Sequence, residues 1–169
     1  MHPIVSGGLA GAFATLPMTA AMRRLHEHLP PGERHPLPPR EVVEAAGSGL
    51  PEVFTGRDAT MLAHFGYGAL AGVLFAGLFR SRSLPAGVGF GLAVWGASYL
   101  GWIPGAGLLA PATRHAPRRN ALMLAVHVVW GAALALGVRE LEAADDAFGP
   151  GPIRDSNGFV RERPGRARG

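Results

Sequence analysis

Four uncharged apolar stretches constrain this chain more than anything else in it: Ile4–Met22, Ala59–Phe79, Pro85–Ile103 and Asn120–Val138. Each is close to the roughly 20 residues that a helix needs to cross the hydrocarbon core of a bilayer. None carries Asp, Glu, Lys or Arg, and Arg23–Arg24, Arg80, Arg114, Arg118–Arg119 and Arg139 stand between and beside them. A buried helix of a soluble bundle keeps a polar stripe, and these four have none. With 48% apolar and only 17% charged residues, the chain is greasier than a soluble domain of this length. The expected fold is all-α, an integral membrane bundle of four transmembrane helices in one domain, residues 1–142. A 36-residue polar loop, 23–58, separates spans one and two. The first span lacks a basic leader and runs too long for a secretory signal.

The joints are legible. "RSRSL" at 80–84 is a tight turn that predicts an antiparallel hairpin of spans two and three. Residues 104–119 form a Pro/Gly-rich loop. Within 23–58, "PPREVVEAAG" predicts a short helix starting near Pro39 and stopped by Gly47. From Ala143 the composition turns to Asp, Gly, Pro and Arg without periodicity, and 143–169 is expected to be a disordered tail. Eight arginines fall on each side of the membrane. Those close to span ends favour the side of residues 23–58 and 104–119 as cytoplasmic. Every basic residue is Arg, which reflects a GC-rich genome and not nucleic-acid binding. A net charge of +4 fits contact with a lipid bilayer. The absence of cysteine excludes disulfides, cysteine zinc ligands and thiol nucleophiles.

Lipid gives helices no hydrophobic reason to associate, so close approach through small residues must hold a bundle together. Gly7–Gly11, Gly68–Gly72–Ala76, Gly87–Gly91 and Gly131–Ala135 place such residues on one face of every span. Pro17 is expected to kink the first span and free the Phe13 carbonyl.

An ionisable residue inside a span is a functional hypothesis by default. There are two, His64 and His127, and each shares a face with small residues four and eight positions on. Both therefore point into the bundle. Thr15, Thr19, Tyr67, Tyr99, Trp102 and Trp130 fall in the same half, and Trp95, Ser98, Tyr99 and Trp102 form a helical stripe. A polar pocket is expected in the half nearest residues 23–58. Three readings compete. In the first, each histidine bonds a neighbouring hydroxyl or carbonyl and the aromatics form an interfacial belt. The second is a pathway for a small solute, ion or proton. The third is bis-histidine ligation of haem b in a four-helix bundle. No carboxylate pair lies in a span, and no nucleophile elbow, HExxH, P-loop or GxGxxG pattern is present.

"LHEHLPPGERHPLPPRE", 25–41, holds His26, His28 and His35. On a helix, His26 and His28 diverge by about 200°, so they cannot chelate one ion together. No metal site is expected. The spacings Arg23–Glu27 and Arg24–His28 suit a solvated helix end.

"HFGYGALAG", and the run from "YLGWIP" through "PATRHAPRRNALM" to "HVVWG", resemble small bacterial inner-membrane proteins of unknown function akin to the YagU-like family. The similarity covers residues 4–138. It implies a multi-pass protein of the bacterial cytoplasmic membrane and no catalytic residues. "PATRHAPRRN" places His115, Arg118 and Arg119 at the mouth of the fourth span. They form a cationic patch able to hold a lipid phosphate, or carboxylates such as Glu41 or Glu44. The expected function is non-enzymatic and structural or envelope-associated. Expected partners are lipid, further membrane proteins or a second copy of the chain, and no nucleic acid.

Overall fold

The computed structural model describes residues 1–34, 36–48, 51, 56–148, 153–154 and 160–161. Helix α1 runs over Pro3–Glu27, α2 over Pro38–Ala46, α3 over Arg57–Leu78, α4 over Leu84–Gly105 and α5 over Pro117–Phe148. All but α2 are long and apolar enough to cross a membrane. Prolines open them where a missing N–H costs nothing: Pro3, Pro38, Pro85 and Pro117 lie in the first turns of α1, α2, α4 and α5. His2 and Ser83 cap α1 and α4 through their side chains. Pro17 lies inside α1, which continues through it.

The spans form a row in the order α3, α1, α5, α4. Glycine chooses the neighbours. A Cβ on Gly11 would collide with the Gly68 carbonyl, and one on Gly72 with the Gly7 carbonyl, so the small faces of α1 and α3 close to backbone contact. The faces of Gly87–Gly91 on α4 and Gly131–Ala135 on α5 mesh in the same way. Between these pairs, Gly137 of α5 abuts Ala10 of α1, and the Trp130 indole N–H donates to the Gly11 carbonyl over 3.3 Å.

α3 and α4 are joined by a short turn but pack little against one another. The expected hairpin is thus splayed. Its closed end is held by Phe75, Phe79 and Phe90, with ring centroids 5.3–5.5 Å apart. Arg82 ties that end down by donating to the Phe79 and Ala76 carbonyls and to Glu142 of α5.

The surface is inverted relative to a soluble protein. Leu62, Leu70, Leu74 and Leu78 form an exposed stripe down α3, and Leu9, Phe13 and Leu16 do so on α1, whereas Ser6, Thr15, Ser98 and His127 are buried. Such an exterior matches lipid and fits water poorly.

Several element limits differ from the expected spans. α1 runs past Met22 to Glu27, in line with the helix end expected at Arg23–Glu27, and α3 starts at Arg57, so the loop is shorter than 36 residues. α5 begins at Pro117 and continues to Phe148, so Ala143–Phe148, expected in a disordered tail, are helical. The amino terminus pairs with Asp145, and Arg82 with Glu142, which extends the helix beyond its apolar part. Of the remaining tail only a two-residue antiparallel pairing, Ile153–Arg154 with Val160–Arg161, is described. The rest of that expectation lies outside the described residues.

Candidate functional site

A cavity of about 250 Å³ opens in the half of the bundle nearest α2. All four spans line it: Thr15, Met18 and Met22 from α1; His64, Tyr67 and Ala71 from α3; Val94, Ser98, Tyr99 and Trp102 from α4; Met123, His127 and Trp130 from α5. α2 roofs it with Pro38, Pro39, Val42 and Val43. Those residues are the apolar face of an amphipathic helix whose other face carries Arg40 and Glu44, bonded at 2.6 Å.

The cavity exists because α3 and α4 do not close on each other at this end. Tyr67 and Trp102 flank the seam, each over two-fifths exposed, with ring centroids 6.1 Å apart. The Tyr67 and Ser98 hydroxyls share a hydrogen bond of 2.9 Å across it.

α4 widens as it passes the cavity. Residues Ala97–Trp102 wind as a π-helix, and the Ile103 N–H reaches back to the Ser98 carbonyl. Pro104 lies in the following turn and has no N–H for the Leu100 carbonyl. Ser98, Tyr99 and Trp102 all lie in this π segment, and π turns are frequent at functional sites.

His127 is buried. Its Nδ1 lies 2.7 Å from the Met123 carbonyl, and its ring stands edge-on to Tyr99 at 86° and 6.4 Å. His64 lines the same cavity, but its Nε2 is sealed against protein with no hydrogen-bond partner among the described residues. The expected pocket therefore gathers Thr15, His64, Tyr67, Tyr99, Trp102 and His127. Thr19 stands apart: its hydroxyl donates to the Thr15 carbonyl at 2.7 Å, and it does not line the cavity. Thr15 itself donates to the Gly11 carbonyl at 2.9 Å. Ser98 and the four roof residues complete the lining. The Trp95–Trp102 stripe pointed to Ser98; the expected contact of Glu41 with the third-loop arginines put α2 on this side, but its place over the cavity was not legible.

No arginine, aspartate or glutamate lines the cavity. Bis-histidine haem ligation needs two imidazoles, and His64 and His127 both line the cavity, which holds no cation to pair with a propionate. Its volume also falls just below the roughly 300–1,000 Å³ usual for pockets of drug-sized ligands.

The cationic patch is engaged with carboxylates. Arg119 holds Glu41 of α2 through both guanidinium Nη atoms, and both side chains are under one-fifth exposed. Arg118 lies 3.8 Å from Glu33 at the surface. Of the two occupants expected for this patch, the carboxylate is the one present: Arg119 on Glu41 joins α2 to the start of α5. His115 beside it is held below the ordinary imidazole value, first by burial and then by the Arg119 charge. Asn120 closes the corner by donating to the Ala112 carbonyl at 2.8 Å.

Among the described residues no three histidines or carboxylates are placed to hold a metal ion. His28 is occupied by the Arg24 carbonyl at 2.7 Å, and His35 lies outside the described residues. No protein-family model matches the chain, and neither a curated protein nor a solved structure matches it.

Proposed function

We propose that this is a multi-pass protein of the bacterial cytoplasmic membrane, akin to the YagU-like proteins, that holds a small neutral lipophilic molecule in the cavity beneath α2 and performs no chemistry on it. One observation carries this reading: an uncharged cavity set between four apolar helices, beside the seam that α3 and α4 leave between them. An ion or proton pathway is less well supported, because no carboxylate or arginine lines the cavity. A purely structural role leaves the cavity without a use, since close-packed interiors rarely keep a void far larger than a water molecule.

The test uses naphthalene as a probe and the purified protein in lipid nanodiscs. Trp102 and Trp130 line the cavity, so indole emission should change saturably on titration. Ala71→Leu and Val94→Phe fill the space from opposite walls, and each should abolish the response. An unsaturable response, or one unchanged in both variants, overturns the reading.

A further inference from the structure

The chemical class of the occupant follows from one proton in the cavity wall, given the binding role proposed above. A neutral imidazole carries a single N–H, and an ionised one is costly at this depth in a membrane. A carbonyl oxygen can only accept. The 2.7 Å approach of His127 Nδ1 to the Met123 carbonyl therefore places the proton on Nδ1. Nε2 is left as a lone-pair acceptor on a residue that lines the cavity, with no protein donor assigned to it among the described residues.

The Tyr67 and Ser98 hydroxyls share one hydrogen bond, which leaves one of their two O–H groups unspent, and Tyr99 brings a third hydroxyl to the lining, whereas the Thr15 O–H is turned to its own helix and the Trp130 N–H is spent on Gly11. His64 Nε2 is sealed from the open space. The cavity thus offers an apolar body of methionine, valine and aromatic surface, a few hydroxyls, and in His127 Nε2 an acceptor with no proton of its own.

We infer that the site selects a neutral lipophile bearing a hydroxyl, whose O–H donates to His127 Nε2. An amine cation has no counter-charge in the lining, and a carboxylate would meet a lone pair. A ketone, an ether or a bare hydrocarbon leaves Nε2 unpaired.

The experiment compares 2-naphthol, 2-methoxynaphthalene and naphthalene on the protein in nanodiscs. Each affinity is referred to the probe concentration in the lipid, measured on protein-free discs. One net hydrogen bond predicts that 2-naphthol binds about three- to tenfold tighter than its methyl ether. His127→Phe should erase that preference, and naphthalene binding to the same variant reports whether its cavity persists. His127→Gln, which can still accept through its amide oxygen, should keep part of it. Equal binding of all three probes by the native protein overturns the hydroxyl assignment and leaves the cavity reading standing. If no probe binds, both fall. Should His127→Phe fail to fold, the comparison of 2-naphthol with its ether on the native protein still decides.

Discussion

Removing Glu41 should unlatch α2 from the bundle. The Glu41–Arg119 pair is bidentate, and its side chains are 18% and 14% exposed, so neither partner is well hydrated once the other is lost. Truncating one member of a fully buried pair costs about 3–5 kcal/mol. Partial exposure at the membrane edge lowers this to roughly 2–3 kcal/mol, because water screens what remains. The other attachments of α2 are its packing on α3 and the seating of Pro38, Val42 and Val43 over the cavity; the Arg118–Glu33 contact lies before it in the chain and is worth less than about 1 kcal/mol. The loss therefore falls on the docking of α2 and not on the spans. At about 1.4 kcal/mol per factor of ten, the undocked population rises roughly 30- to 150-fold. The chain has no cysteine, so a single Val43→Cys reports opening through its labelling rate with a membrane-impermeant maleimide. Glu41→Ala and Arg119→Ala should each accelerate labelling by that factor. Glu41→Leu combined with Arg119→Met should recover much of the protection, since no unpaired charge is left. Labelling within twofold of the parent in Glu41→Ala would refute the reasoning.

Three further outcomes are expected. Gly72→Ala sets a Cβ against the Gly7 carbonyl and should lower stability by roughly 1–3 kcal/mol in mixed-micelle unfolding, whereas Gly89→Ala, with open space around it, should be neutral or stabilising by up to about 1 kcal/mol. His115 is held below its ordinary value, so the folded loop disfavours its protonation. Stability of this corner should fall as pH drops through the ordinary value near 6.5 toward the lowered one, and His115→Gln should flatten Val43→Cys labelling rates across that window. Arg82→Ala removes the donor to the last carbonyls of α3 and the partner of Glu142, and should speed amide exchange at residues 76–83 while leaving the α2 end unchanged.

The spans were legible because hydrocarbon demands length and absence of charge, both of which are visible in a string of residues. The small-residue stripes were legible too, and each lies at a real helix crossing. Their mating was not. Four similar stripes allow several pairings, and the five-residue joint at 80–84 favours neighbours at one end only. Backbone fit sent the α3 stripe to α1 and the α4 stripe to α5, which left the α3–α4 seam open. The histidine pocket followed from face and depth, so most of its residues were found, but Thr19 shows the limit. One turn from Thr15, it shares the face and misses the cavity. The pairing of the third-loop arginines with a carboxylate of residues 23–58 was legible from their charges, but the choice of Glu41, 78 positions from Arg119, over Glu44, which bonds Arg40 instead, was set by how α2 docks. The helical turn Ala143–Phe148 was hidden by its polar composition, since its pairing with the amino terminus joins opposite ends of the chain.

The open seam between α3 and α4 also sets the thermodynamic scale on which any occupant binds. A molecule that reaches the cavity sideways has already left water, and its desolvation belongs to the bilayer. Occupancy then depends on the ratio of cavity to lipid affinity and on how much of the molecule the membrane has stored. A site that barely prefers its occupant over an acyl chain can still be full whenever the membrane is rich in it. Its measured strength in water would vary with the lipid in which the protein is placed. The acceptor at His127 Nε2 would then govern which molecule is held far more than how tightly.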